Sequence, residues 1–479
     1  MAGLRSFGAY IPTLRMPRDM IAKAWGRGSL GGERSVANYD EDTLTMAVEA
    51  ATDCLRGIPR EEVDGVFFAS TTPSYKEKQS AALIAMALDL PKTVRTADFG
   101  HSLRAGTSAL LAAMDAVKAG ALTNVLVVAS DSRMGYPKTD LEQLFGDAAA
   151  AVLVSANDGA VRIDGAVSLA DEILDVWRTD TDTYVKSWED RFAVTYGYTQ
   201  SMVGAARTLL KQSKQDPKAI TRAALYSPDS RSVQGVAREL GLDPKTQLHP
   251  TLIDVVGNSG AAHALLVLVD ALQETKPGAR ILAASYGDGS DAFLLTATDG
   301  IASVQKRVRG VKDSLAVKRT MPTYERYLAF RGIAELQPEP PLRIAAFAGA
   351  TVEYRDRLSW ISMRGSRCRK CGTHHFPIQR VCYTCRSKDD YETVRLSDKS
   401  ATIFNYTLDN LAGGMDPPVI ETVLESEVGA CRIYCQMTDG DPKEVKIGQP
   451  VEFTFRRMHE AAGFHNYFWK CRPQREGGK

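Results

Sequence analysis

The sequence predicts a layered α/β protein, internally duplicated, with a small metal-binding and β-rich tail. Three observations carry this. Over the first ~300 residues short apolar runs alternate with helical patterns, as in a buried sheet covered by helices. The same plan then runs a second time, which indicates a duplication. Further on, Cys368, Cys371, Cys382 and Cys385 cluster, and segments of alternating, β-branched character follow them.

The elements follow in order. In the first half "VDGVFFAST" reads as a strand, "SAALIAMAL" and "SALLAAMDAVKAG" as helices, "NVLVVASD" and "AAAAVLVS" as strands. In the second, "RAALYSP" is a strand, "SVQGVARELG" and "AAHALLVLVDALQ" are helices, and "RILAASYGDGSDAFLLTAT" is two strands with a turn. We divide the chain at 1–157 and 158–336, the second half ending in a helix within "MPTYERYLAFRGIAEL". Pro-rich "QPEPPLRI" (337–344) is the linker candidate. A helix and the clustered cysteines occupy 342–395. The last stretch, 396–479, with "SATIFNYTLDN", "CRIYCQMTD", "PVEFTFRRM" and "HNYFWKCRP", predicts a small barrel.

Composition narrows the function. The chain has 479 residues, 44% hydrophobic and 24% charged, with 59 Lys+Arg against 58 Asp+Glu. This near-neutrality argues against a nucleic-acid or anionic-membrane partner. No apolar run is long enough to span a bilayer, and "MAGLRSFGAYIP" lacks a signal-peptide layout. Uneven cysteine placement is unlike a disulfide scaffold. The expected compartment is the cytoplasm.

"CRKCGTHHFPIQRVCYTC" holds two CxxC knuckles. Each bends two thiolates to one side, and together they complete a tetrahedral zinc site from Cys368, Cys371, Cys382 and Cys385. Four thiolates leave no open position, so the expected Zn2+ is structural. His374 and His375 are expected on the loop surface, and Cys431 and Cys435 as buried strand thiols.

"DFGHSLRAGT" has the look of a catalytic turn: a strand end, a glycine, then a helix start. The position for a nucleophile holds Leu103. In "DVVGNSGAAHALL", Asn258 is either a helix cap or an amide donor toward an oxyanion. "LFGDAAAAVLVS" and "YGDGSDAF" are glycine turns without phosphate-cradle spacing.

These segments, with "GAYIPTLRMPRDMIAKAWG", "DEDTLTMAVEAA" and "RAGTSALLAA", together resemble the thiolase superfamily over roughly residues 1–335. The resemblance is to its 3-hydroxy-3-methylglutaryl-CoA synthase and 3-oxoacyl-acyl carrier protein synthase III branches. The tail resembles the zinc-ribbon plus OB-fold proteins that accompany thiolase-like enzymes of acyl-CoA metabolism. The resemblance implies a five-layered αβαβα fold, a rubredoxin-like ribbon, an OB barrel and an acyl-CoA substrate. It also implies a Cys nucleophile, a His and an Asn at the oxyanion, and a Glu acid/base. At those positions stand Leu103, Tyr226, Asn258 and Thr71, so only the asparagine is kept.

Leucine cannot form an acyl-enzyme, and Ser102 lies one residue early. The expected activity is therefore retro-aldol cleavage of a 3-hydroxyacyl-CoA, which needs a base and oxyanion donors but no nucleophile. Tyr226, His101 and Tyr198 are the candidate proton carriers, Asn258 is the oxyanion donor, and His263 is expected in the core. Two alternatives are a hydroxymethylglutaryl-CoA synthase-like condensing acyltransferase and a non-catalytic CoA-binding partner of an active thiolase. The CoA-contacting residues are not legible. A homodimer is expected, paired through "NVLVVASDS" as an edge strand.

Overall fold

In the first half the main sheet draws on β1 (Gly3–Tyr10), β2 (Gly65–Ala69), β3 (Arg95–Phe99), β4 (Asn124–Asp131) and β5 (Ala148–Ser155), and its longer helices include α1 (Thr43–Cys54), α2 (Ser80–Ala87) and α3 (Ala105–Lys118). The second half supplies β6 (Val161–Ala170), α4 (Gln200–Gln212), β7 (Arg222–Leu225), α5 (Ser232–Glu239), α6 (His263–Glu274), β8 (Arg280–Tyr286) and β9 (Gly289–Ala297). A computed structural model describes residues 2–157, 159–334, 349–412, 415–429, 431–461 and 463–475.

The strands lie in the order β7-β8-β9-β6-β1-β5-β4-β2-β3. The halves meet where β1 pairs with β6 through Gly3↔Arg162 and Leu4↔Val161. Helices α3 and α6 touch each other between the two halves of the sheet, α1 and α2 cover the outside of the first half, and α4 covers β6, β8 and β9. This is the expected αβαβα layering. The sequence of α6 explains its central place: every residue from His263 to Leu272 is buried, as in a helix enclosed on all sides. Strand β5 is likewise buried throughout its "AAAAVLVS", because helices approach both of its faces. Helix α1 starts where the Asp42 carboxylate accepts from Leu44 N and Thr45 N, and Thr45 closes the capping box.

One expectation is corrected. "NVLVVASDS" is not an edge strand, since β4 pairs with β5 on one side and β2 on the other. Among the described residues the free edge of the first half is β3, which pairs with β2 alone. An apolar run signals burial on both faces, which a central strand satisfies better than an edge.

The linker candidate 337–344 lies outside the described residues. Beyond it a helix, Ala350–Trp360, leads into three short ribbon strands, Arg364–Cys368, His374–His375 and Tyr391–Arg395. Five strands then close a barrel in the order β10-β11-β12-β14-β13: β10 (Ala401–Asp409), β11 (Val419–Ser426), β12 (Arg432–Met437), β13 (Pro450–Ala461) and β14 (Phe464–Pro473). Cys435 is buried in β12, as expected, and Cys431 is buried just ahead of that strand.

The barrel is fixed to the first half by buried ion pairs. Lys470 Nζ lies 2.9 Å from Asp40, and Arg472 Nη2 lies 2.7 Å from Glu49. Arg456 pairs with Glu41, and its Nη2 lies 2.7 Å from Asp439. Glu452 of β13 receives Arg309 of the second half at 2.7 Å and Arg472 at 2.8 Å. The acidic stretch that opens α1 thus meets a row of cations on β13 and β14.

Candidate active site

The turn after β3 delivers Leu103 to the N-terminus of α3. Its side chain packs against the cluster that holds Tyr198, Tyr226 and Tyr286. The turn between β8 and β9 presses on the same helix end. At Gly287, φ is 152° and an added Cβ would lie 2.9 Å from Leu103 N and 2.9 Å from Arg104 N, so only glycine fits. The start of α3 and the β8–β9 turn are also tied together by charge. Arg104 Nη1 lies 2.9 Å from Asp291 Oδ1, and Thr107 Oγ1 donates to Asp291 Oδ2 at 2.7 Å.

Asn258 lies beside Tyr226. Its Oδ1 accepts from Gly260 N at 3.0 Å, which fixes the amide so that Nδ2 points to Tyr226 Oη at 2.9 Å. The backbone of Asn258 is clamped to "LFGD": its N–H donates to Leu144 O at 2.8 Å, and Gly146 N donates to its carbonyl at 3.1 Å. A Cβ on Gly146 would fall 1.8 Å from Val256 O, so that glycine is required by close backbone approach. Asn258 thus accepts from the turn that leads into α6 and, through its Nδ2, orients the Tyr226 phenol.

Tyr226 accepts from Asn258 and so keeps its own proton to donate elsewhere. Burial raises its pKa, with Arg133 and the Asn258 bond opposing. At neutral pH it is a phenol, suited to donating to an oxyanion and poorly suited to being a base. Tyr198 is a brace, its Oη donating to Tyr226 O at 2.7 Å. His263 is buried edge-on to Tyr226 at 5.5 Å, and burial pushes its pKa down to about 4. It is a neutral core histidine, as expected.

Among the described residues neither Thr71 nor His101 is hydrogen-bonded to this pair. Thr71 Oγ1 donates to Asp131 Oδ2 at 2.8 Å. The same carboxylate accepts from Ser70 Oγ, Thr71 N, Thr72 N, Thr72 Oγ1 and Ala261 N. Its lone pairs are fully used in knotting three segments together. His101 is exposed, at φ 66°, and makes no hydrogen bond to Tyr226 or Asn258. Ser102 Oγ accepts from Arg104 N at 3.5 Å.

Sequence reasoning missed three members of the site, Asp175, Tyr286 and Arg133. Asp175 interacts with the Tyr286 phenol, and burial raises the Asp175 pKa. Arg133 is 4% exposed and its guanidinium lies 4.3 Å over the Phe145 ring. Tyr286 could have been found from its place at a strand's C-terminal end before a glycine turn. Asp175, in an irregular segment, gives no periodic signal.

In the tail, Cys368 Sγ lies 3.6 Å from Cys385 Sγ, Cys371 Sγ lies 3.5 Å from Cys382 Sγ, and all four sulfurs lie within 4.8 Å of one another. A tetrahedron of thiolates on zinc requires about 3.8 Å between sulfurs, so the residues fit. From sequence His374 and His375 are expected on the loop surface; instead both lie in a strand, paired with Arg367 and Ser366. His375 is buried and packs edge-on to Tyr383 at 4.5 Å.

Comparison with known proteins identifies the family of the core and of the ribbon. The family model described as 3-oxoacyl-[acyl-carrier-protein (ACP)] synthase III matches residues 98–171. The one described as ChsH2, rubredoxin-like zinc ribbon domain, matches residues 363–392. Hydroxymethylglutaryl-CoA synthase of Caldivirga maquilingensis is 32% identical over 346 residues, 70% of this chain and 98% of that protein. The chain belongs to the hydroxymethylglutaryl-CoA synthase family. A second member, from Methanocella arvoryzae, is 32% identical over 314 residues, 63% of this chain and 90% of that protein. Among solved structures, MvaS in complex with 3-hydroxy-3-methylglutaryl coenzyme A superposes with a TM-score of 0.61 at 20% identity, covering 72% of this chain and 94% of that one. That likeness is one of fold. Within the family, this chain places the Leu103 side chain at the start of α3 and carries the ribbon and barrel behind the shared core.

Proposed function

We propose that this family member makes or breaks a carbon–carbon bond in an acyl-CoA without an acyl-enzyme, and that it cleaves a 3-hydroxyacyl-CoA by a retro-aldol reaction. The observation that carries this is the pairing of an inert Leu103 with an intact Tyr226–Asn258 donor. A base removes the hydroxyl proton, the Cα–Cβ bond breaks, and its electron pair moves onto the thioester as an enolate. The former hydroxyl carbon leaves as an aldehyde or ketone, and a proton returned to Cα gives the shorter acyl-CoA.

Tyr226 Oη donates to the enolate oxygen, with Asn258 holding the phenol in place. Asp175 is the base, since a carboxylate with a raised pKa accepts a proton more readily than a buried phenol. Solved structures of this fold contain 3-hydroxy-3-methylglutaryl-CoA in one case and CoA in another, which supports an acyl-CoA ligand. The relatives' name favours a second reading, a condensing acyltransferase. Intact-protein mass spectrometry after incubation with a labelled acyl-CoA separates the two. Our reading expects no added acyl mass, and a stoichiometric adduct would establish the transferase.

The cysteine cluster is assigned to one structural zinc, with Cys368, Cys371, Cys382 and Cys385 as its ligands. Metal analysis should find one zinc per chain. Cys382→Ser should unfold or aggregate the tail, because ligand binding and folding are coupled in such sites. Well under one equivalent in fresh protein would refute the assignment. We also propose a cytoplasmic homodimer, joined at the open edge of β3, where an unpaired strand invites a second copy. Light scattering should give a mass near twice the 52.2 kDa of one chain, and a monomer at micromolar concentration would contradict it. No helix among the described residues is long and apolar enough to cross a membrane.

A further inference from the structure

The β13–β14 hairpin of the barrel reaches the loop that follows β2. His465 N donates to Tyr75 Oη at 2.7 Å, and the two rings lie 5.1 Å apart. Two residues on, Tyr467 Oη donates to Asp42 Oδ2 at 2.7 Å, and Ser74 Oγ donates to the same oxygen at 3.3 Å. Asp42 is the residue that caps α1, and beside it Thr43 Oγ1 donates to Thr72 O at 2.9 Å. Residues 72–75 are thus held between a helix start and the barrel. A loop without regular structure needs such ties, because every residue it orders costs conformational entropy.

The same loop holds the segment that carries Asp175. Arg178, three residues after Asp175, donates through Nη2 to Thr71 O. Lys76 Nζ donates to Asp180 O at 2.7 Å. The segment forms a short hairpin, Val176–Trp177 paired with Lys186–Ser187, and from 175 to 187 its residues are half-buried or exposed apart from Val185. A segment so little buried draws little stability from packing, so polar ties set its position.

We infer that Tyr75 is a positioning residue: through it the barrel holds the loop 71–76, and through Arg178 and Lys76 that loop holds Asp175 in its place beside Tyr286. This rests on the reading of Asp175 as the base. The fused tail then serves the reaction from a distance, by fixing the segment that carries the base.

The test pairs hydrogen–deuterium exchange with steady-state kinetics on the full chain. Tyr75→Phe removes the acceptor of the His465 N–H and keeps the ring. It should raise amide exchange in residues 175–187 about 3–10-fold, the range for losing one net hydrogen bond, and leave the urea midpoint unchanged. With a 3-hydroxyacyl-CoA it should lower kcat roughly 10–100-fold, as misplacing a catalytic group does, and leave KM unchanged. Arg178→Met should act in the same way, and Arg178→Lys, which can still donate to Thr71 O, should recover part of the rate. Unchanged exchange in 175–187 overturns the inference, whatever the rates. Raised exchange with a wild-type kcat overturns it too, by making the tie structural alone. A wild-type protein that cleaves no ester, with exchange raised in Tyr75→Phe, leaves the coupling standing and removes the reading of the reaction instead.

Discussion

Tyr226→Phe lowers turnover of a 3-hydroxyacyl-CoA by roughly 10²–10³-fold, the usual effect of removing one oxyanion donor. Ester binding survives, because the ring still fills its place beside His263 and Tyr286. The loss therefore falls on kcat, since the donor acts on charge that develops only in the transition state. Asn258→Ala gives a loss of the same kind through Tyr226, which it orients from 2.9 Å. Leu103→Cys brings no gain, because no histidine stands where Tyr226 does and a thiol alone does not restore condensation. His101→Ala stays within a few-fold of wild type, since His101 is exposed and outside the cluster. Steady-state rates with fixed ester concentrations decide among these. Wild-type rates for both Tyr226→Phe and Asn258→Ala would remove the assignment.

Arg456→Met destabilises the protein by about 3–5 kcal/mol, the range for breaking a buried pair on one side. The arginine is fully buried between Glu41 and Asp439, so both carboxylates lose a cation that water cannot replace. Urea denaturation monitored by tryptophan fluorescence reads the loss, and Trp469 lies in the barrel core. Adding Glu41→Gln to Arg456→Met should recover part of it. The same interface is acid-sensitive. Burial alone would raise the Glu452 pKa, but Arg472 and Arg309 lower it from 4.5 to about 2. A depressed carboxylate pKa stabilises the fold above the unfolded value, so its contribution is lost as pH falls from about 5 toward 2.

Local pattern made much of this legible. The alternation of apolar runs and helical stretches marked the elements because a buried sheet leaves that trace. The spacing of "RAGT" exposed Leu103, and the paired CxxC knuckles exposed the ribbon, because both depend on residues close together in sequence. What was missed depends on residues far apart. Asp131 looks like an ordinary strand-end acid until Ser70–Thr72 and Ala261 are brought onto it. The acids at Asp40, Glu41 and Glu49 read as part of a helix start, and their partners lie some 400 residues later in β13 and β14. Strand order misled for the same reason: the sequence shows that β4 is apolar, but only the pairing shows it lies between β2 and β5. The proton on Tyr226 was equally hidden, because its direction is set by the Gly260 N–H that fixes the Asn258 amide.

The most direct test of the central claim is product analysis of the wild-type protein with a panel of 3-hydroxyacyl-CoA esters, by mass spectrometry of both CoA and carbonyl products. The account predicts a shorter acyl-CoA and an equimolar aldehyde or ketone, with no acyl group retained on the protein. A protein that leaves every 3-hydroxyacyl-CoA intact, yet exchanges acyl groups through a covalent adduct, would contradict it.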